Sequence, residues 1–232
     1  MGPRLVQHVQ HFRFSPMPLQ LRVYVPPHPL IQHWLGVARD AQTPTPLFRT
    51  AMAELGRWLT YEALREWLPM VETQVETPVG MAAAQFINPQ VPMAIVPVLR
   101  AGLSLLEGMQ PIVPLASVYH LGLERDEKTL ECSCYLNKLP EKFPEGALVL
   151  VAEPMLATGG SIMKTLVELS DRGLTPEQIR IISVVAAPPA LQQLNKAYPG
   201  LVIYTAIIDE AVNDQGWIVP GLGDAGDRTF GT

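Results

Sequence analysis

Residues 151–161 read VAEPMLATGGS, an apolar run that stops at one carboxylate, Glu153, and passes through Pro154 into a Thr-Gly-Gly-Ser turn. Gly159 and Gly160 let the backbone curl until successive N–H groups converge, and a helix opening near Ser161 adds the positive end of its dipole. Thr158 and Ser161 supply hydroxyl donors. A turn of this make-up suits a phosphate. It is not the P-loop of nucleotide hydrolases, because no lysine directly follows the second glycine and Lys164 lies a turn into the helix. A carboxylate this close to a phosphate must face something else, either the hydroxyls of a ribose or a magnesium ion. The two features together describe a sugar phosphate.

Two further stretches carry chemistry. In PVLRAG, residues 97–102, Arg100 stands just past a strand and before Gly102 and a helix start. A guanidinium fork and free amides there could bind a diphosphate. GLGDAG, residues 221–226, fits the dinucleotide fingerprint literally, but the chain of 232 residues ends too soon after Gly226 for the helix and ribose-binding acid that fingerprint needs. Its glycines instead present bare backbone N–H and C=O groups that can read the edge of a flat heterocycle, with Asp224 as the ionisable group among them. The cysteines Cys132 and Cys134 form Cys-x-Cys with no histidine at a zinc-ligand spacing, and His8 and His11 lack further ligands nearby. No protein-held metal site is expected.

These residues need a scaffold that brings strand ends together. PMAIVPVL (92–99), ASVYHLGL (116–123), GALVLVAEP (146–154), IRIISVVAAP and LVIYTAIID read as strands, apolar on both faces. GLSLLEGM, SIMKTLVELSDRG and PALQQLNKAYPG read as the helices between them, and ERDEKTLECSCYLNKLP as a charged loop. That pattern predicts an α/β fold, a mainly parallel sheet with helices on both faces. Before it, Leu47, Met52, Leu55, Leu59 and Leu64 mark one long amphipathic helix, with Trp58 and Trp67 as core anchors. Residues 21–46, rich in proline around a short helical piece, read as an arm lying off the sheet.

The hydrophobic share of 48% is ample for one packed core, assigned to residues 21–232, with residues 1–20 as a poorly ordered extension. A net charge of -5 gives no general attraction for a polyanion, so no nucleic-acid partner is expected. Apolar runs are strand-sized and broken by Pro or Gly, which predicts no membrane span. Two cysteines too close for a disulfide framework suggest reduced thiols in the cytoplasm.

With LTYEA, PVLRAG, RDEKTLE, NKLP, PMLATGGS, VAAP, YTAIID and PGLGDAGDRTFGT in hand, the chain resembles the uracil phosphoribosyltransferase family from about residue 28 to Thr232. The resemblance implies the type I phosphoribosyltransferase fold with a flexible loop over the active site. It implies transfer of the phosphoribosyl group of 5-phospho-α-D-ribose 1-diphosphate to uracil N1, giving UMP, with magnesium carried mainly by that substrate and a homo-oligomeric assembly. Arg100 and Arg125 match the family's diphosphate-side arginines, Glu153, Pro154, Met155, Leu156, Ala157, Thr158, Gly159, Gly160 and Ser161 its ribose 5-phosphate loop. Ile218, Gly223, Asp224 and Ala225 match its uracil-binding segment, in which Asp224 also approaches the ribosyl diphosphate. Three departures stand out: Glu153 where the family usually has Asp, the CSC at 132–134, and VPPHPL without the lysine often found before HPL. The rival reading is a nucleotide-sensing regulator with a phosphoribosyltransferase-like fold. An acidic chain without a basic patch or helix-turn-helix argues against it.

Overall fold

The computed structural model describes residues 20–125 and 132–232. His8, His11 and the expected extension, except Gln20, lie outside those residues, as does most of RDEKTLE. In chain order the elements are β1 (Arg22–Tyr24), α1 (Pro29–Arg39), α2 (Thr45–Leu64), β2 (Met70–Thr77), β3 (Gly80–Ile87), β4 (Met93–Leu99) and α3 (Leu103–Met109). Next come β5 (Ser117–Val118), β6 (Leu121–Arg125), β7 (Cys132–Asn137), β8 (Leu148–Ala152), β9 (Met155–Leu156) and α4 (Gly160–Ser170). The last are β10 (Ile179–Ala186), α5 (Pro188–Ala197), β11 (Val202–Ile208), β12 (Ala211–Val212), β13 (Ile218–Val219) and α6 (Ala225–Phe230).

The main sheet runs β1-β11-β10-β8-β4-β6-β7, parallel throughout except for the β6–β7 pair. Its central strands alternate their apolar side chains between two cores, because successive residues of a strand point to opposite faces. Ile95, Leu150 and Ile182 join the core under α1, α2 and α3. Their neighbours Val96, Val151 and Ile181 join the core under α4 and α5. Both faces are covered, which is why these strands read as unbroken apolar runs.

Proline has a second use that composition did not reveal. Pro29, Pro46 and Pro188 sit in the first turns of α1, α2 and α5, where their missing N–H groups would have had no intrahelical acceptor. The expectation of an arm lying off the sheet is corrected at its start: β1 is the edge strand, with Arg22 in register with Val202. Three residues are too few for any periodicity to show. ASVYHLGL is split into β5 and β6, both along β4, and part of the expected charged loop is the strand β7. β7 is a mostly exposed edge strand, so its composition is that of a loop. In α2 the core place expected for Leu47 belongs to Phe48, and Leu47 is exposed. Trp58 and Trp67 lie half-buried at the core's rim, Trp58 stacked on His28 and Trp67 under the Arg180 guanidinium.

The sequence reading had no place for the β2–β3 hairpin, which stands apart as its own two-stranded sheet closed by Pro78 and Val79. The chain adds strands to one side of β4 through β6 and β7, then to the other side through β8, β10 and β11. The crevice beyond the carboxyl ends of β4 and β8 is therefore the switch point where a ligand fits.

The α2 and α3 helices that brace this crevice touch through backbone. A Cβ on Gly108 would overlap the Ala53 carbonyl. Gly108→Ala should therefore cost about 2 kcal/mol or more, read as a lower urea midpoint at unchanged slope. An unchanged midpoint would mean that the two helices can separate freely.

Candidate active site

The segment after β8 is anchored before it turns. The Glu153 N–H donates to the Ile182 carbonyl at 3.1 Å. The Pro154 carbonyl accepts from the Val184 and Val185 amides at 2.8 and 3.0 Å and from Ser183 Oγ at 3.0 Å. Met155 and Leu156 pair with β10, and the Ala157 carbonyl accepts from the Ala190 N–H at 3.2 Å. With those groups committed, the chain turns at Gly159, whose φ is 96°, and α4 begins at Gly160 without a side-chain cap. The first amides of a helix have no intrahelical acceptor, and nothing stands within 4 Å of where a Cβ on Gly160 would be. An anion can approach that backbone directly.

A cavity of about 270 Å³ opens over this turn. Its walls bring together Glu153, the run from Met155 through Ser161, and Asp224 from the far end of the chain. Ala101, Cys132 and Ile162 complete it, none of them expected at the site from the sequence. Pro154 is buried and does not line it.

Glu153 is partly covered as a residue, but its Oε2 is out of reach of water and has no hydrogen-bond partner among the described residues. Desolvation pushes its carboxyl pKa up to about 8. An unpaired carboxyl oxygen in a cavity is a group waiting for donors. Burial likewise pushes the Cys132 thiol up, against a hydrogen bond with Ser161 that lowers it, so the thiol stays neutral beside the phosphate-type turn. Lys164 is committed to Glu168 at 3.1 Å rather than to the cavity.

Arg100 follows β4 and lies beside this cavity rather than in its wall. Its Nη2 pairs with Asp227 Oδ1 at 3.1 Å and its guanidinium is 5.8 Å from the centre of the Phe230 ring. Asp227 was not foreseen, because nothing in the sequence links position 100 to the C-terminal turn. Arg125 is the last residue of β6, and the course of its side chain lies outside the described residues. The helix thought to have no room after Gly226 does form, as the six-residue α6. Asp224 caps it, its Oδ1 accepting from the Asp227 N–H at 2.9 Å. It remains too short for a dinucleotide site. The side chains of Ile218 and Ala225 are buried in the core, so the ribbon from β13 to α6 offers mainly backbone there.

The family model for uracil phosphoribosyltransferase matches residues 25–232. A uracil phosphoribosyltransferase from a Nostoc species is 71% identical over 216 residues, covering 93% of this chain and all of the relative. One from Nicotiana tabacum is 55% identical over 213 residues, covering 92% of this chain and 95% of the relative. Among solved structures, an Aquifex aeolicus protein with 39% identity superposes with a TM-score of 0.81, over 90% of this chain and 97% of the other.

The Glu153 carboxyl has a testable signature. Its pKa is raised, so from about 4.5 to about 8 the folded chain keeps a proton that the unfolded chain loses, and the fold loses stability as pH rises through that window. Glu153→Gln should remove this loss, leaving the variant relatively more stable by roughly 1–3 kcal/mol at pH 8 than at pH 5 in urea titrations. A difference that does not change with pH would mean that the carboxyl is already ionised in the fold.

Proposed function

We propose how the site works from one premise: the chain belongs to the uracil phosphoribosyltransferase family. It has the type I phosphoribosyltransferase fold and is a pentosyltransferase of pyrimidine salvage. It joins uracil to the 5-phosphoribosyl group of 5-phospho-α-D-ribose 1-diphosphate, giving UMP and diphosphate. The observation that supports our assignment of roles is the shared cavity, in which an uncapped Gly-Gly helix start, an unpartnered carboxyl and the C-terminal ribbon meet.

In this reading the amides around Gly159 and Gly160 hold the 5-phosphate, with Thr158 and Ser161 as further donors. Glu153 takes the ribose hydroxyls by turning its carboxyl into the cavity, where they supply the donors that Oε2 lacks in its buried position. Breaking the anomeric C–O bond leaves positive charge on the ring and negative charge on the departing diphosphate, and groups that bind better as those charges grow speed the step. Arg100 serves the diphosphate, and Arg125 is its proposed companion. The Arg100–Asp227 pair is about half exposed and holds by no more than about 1 kcal/mol, so a diphosphate can take the guanidinium from it.

Uracil lies along the ribbon of Ile218, Gly223, Asp224 and Ala225. A backbone N–H directed at position 4 donates to uracil's carbonyl and rejects cytosine's amino group, because two donors would face each other. Attack by N1 needs both reactants held in line, with Asp224 as the nearest carboxylate to receive its proton.

Magnesium is the proposed cofactor. Glu153 and Asp224 line the same cavity and could offer it hard oxygen donors, but two acidic side chains make no cage, which fits an ion brought in by the ribosyl diphosphate. When bound, magnesium would supply charge neutralisation on the leaving group.

Two features bear on setting and assembly. Among the described residues no helix is long and apolar enough to cross a membrane, and the thiols of Cys132 and Cys134 are free, which supports a reducing, cytoplasmic setting. The β2–β3 hairpin exposes Val79 at 97%, Met81 at 66% and Phe86 at 51%. A lone two-stranded hairpin is marginal in water, so this arm supports docking onto a second copy.

The function is tested by supplying the ribosyl diphosphate with uracil, cytosine, hypoxanthine and adenine in turn and following diphosphate release. Only uracil should give turnover, and equal rates with another base would overturn the assignment. In the same assay Arg100→Ala should lose about 100-fold or more in turnover without unfolding. Near-normal rates would remove the arginine from the chemistry. Sedimentation equilibrium should find a dimer or larger, shifted towards monomer by Met81→Ser with Phe86→Ser; a monomeric unmodified chain would exclude the hairpin as a docking arm.

A further inference from the structure

A base read through backbone groups is discriminated only as well as that backbone is held, to within about half an ångström. The ribbon carrying Ile218, Gly223 and Asp224 has little regular structure of its own, two residues of β13 and the short α6. Two charged side chains do the holding. Asp209, at the end of β11 and 4% exposed, pairs through Oδ1 with Arg39 of α1 and accepts the Gly221 N–H on Oδ2 at 2.9 Å. Gly221 has φ 61°, and a Cβ there would run into the Ile218 carbonyl, so this amide sits at the tightest point of the ribbon.

Arg228 of α6 braces the next residue from the other side. Its Nη1 donates to the Leu222 carbonyl at 2.7 Å and also to the Ala38 carbonyl, and its Nη2 to the Asp40 carbonyl at 2.6 Å. Its guanidinium lies 4.2 Å from the centre of the Phe48 ring. Both braces end on the same anvil, the carboxyl-terminal turn of α1, where carbonyls without intrahelical partners favour a cation.

We propose that Asp209 and Arg228 are positioning residues for base selection, setting uracil affinity and discrimination by fixing the Pro220–Gly221 and Leu222–Gly223 peptides without touching either substrate. This rests on the functional reading above. A guanidinium that donates to three carbonyls while stacking on a ring cannot be replaced by an ammonium.

The test is steady-state kinetics of Arg228→Lys with each substrate varied. The KM for uracil should rise about tenfold, the KM for the ribosyl diphosphate should stay within about twofold, and cytosine should compete better than against the unmodified enzyme. Arg180→Lys is the control. Arg180 also braces a helix end, donating to the Ala63 carbonyl and Tyr204 Oη far from the ribbon, so it should lower the melting temperature while leaving the uracil KM alone. If Arg228→Lys does not fold, Asp209→Asn carries the same test, since it keeps an acceptor for Gly221 but loses the charge facing Arg39. A melting temperature lowered with uracil KM unchanged, or both KM values moving together, would overturn the proposal. An unmodified enzyme inactive with uracil would instead overturn the function it rests on.

Discussion

Peptide amides can hold a phosphate only if they are left without other partners, and a folded protein seldom leaves buried amides so. The turn at Gly159–Gly160 meets this demand by position. It lies beyond the end of β9, where the ladder has stopped, and before α4 has reached its first internal acceptor. No side chain caps the helix and no Cβ shields it. The cost of leaving those amides free is carried next door, where Glu153 to Ala157 are tied to β10 and α5 by their own backbone. A loose loop could fold its amides inward; this one is tied on its amino-terminal side and leaves them facing the cavity.

The same economy governs charge. The chain is acidic overall, and several of its arginines are spent on structure: Arg39 on Asp209, Arg172 on Glu168, Arg180 on a helix end, Arg228 on the ribbon. Arg100 is held by a half-exposed carboxylate and the Phe230 ring, from which an incoming anion can draw it. Attraction for a polyphosphate substrate is thus local rather than spread over the surface. Carboxyl groups divide in the same way, since Asp209 is saturated by two partners whereas Glu153 keeps one oxygen unpaired.

The placement of Glu153 and the Gly-Gly turn between a strand and a helix is legible in the sequence because both lie within one strand–loop–helix unit, where spacing along the chain fixes spacing in space. Long apolar strands and helices of ten or more residues are legible for a like reason: their periodicity is repeated often enough to register. β1, β5, β7 and α6 escape it, being short or exposed, and their existence depends on a neighbour's free edge or on a cap. The hairpin escapes for another reason, as both its strands are largely exposed and their half-buried positions, such as Val75, Thr77, Ala82 and Ala84, are too few and mostly too small to mark an apolar face.

The sequence by itself determined the α/β class, the two apolar faces of the sheet, the Gly-Gly turn between strand and helix with its nearby carboxylate, and the glycine-rich C-terminal ribbon. Local covalent order is enough for each of these. Only the tertiary structure decided that Asp224 shares a cavity with Glu153, that Cys132 forms part of its wall, that Asp227 holds Arg100, and that Asp209 and Arg228 clamp the ribbon to α1. Such contacts join residues far apart along the chain. They arise from strand order and helix docking, which are set by the packing of the whole core and leave no mark in any short window of sequence.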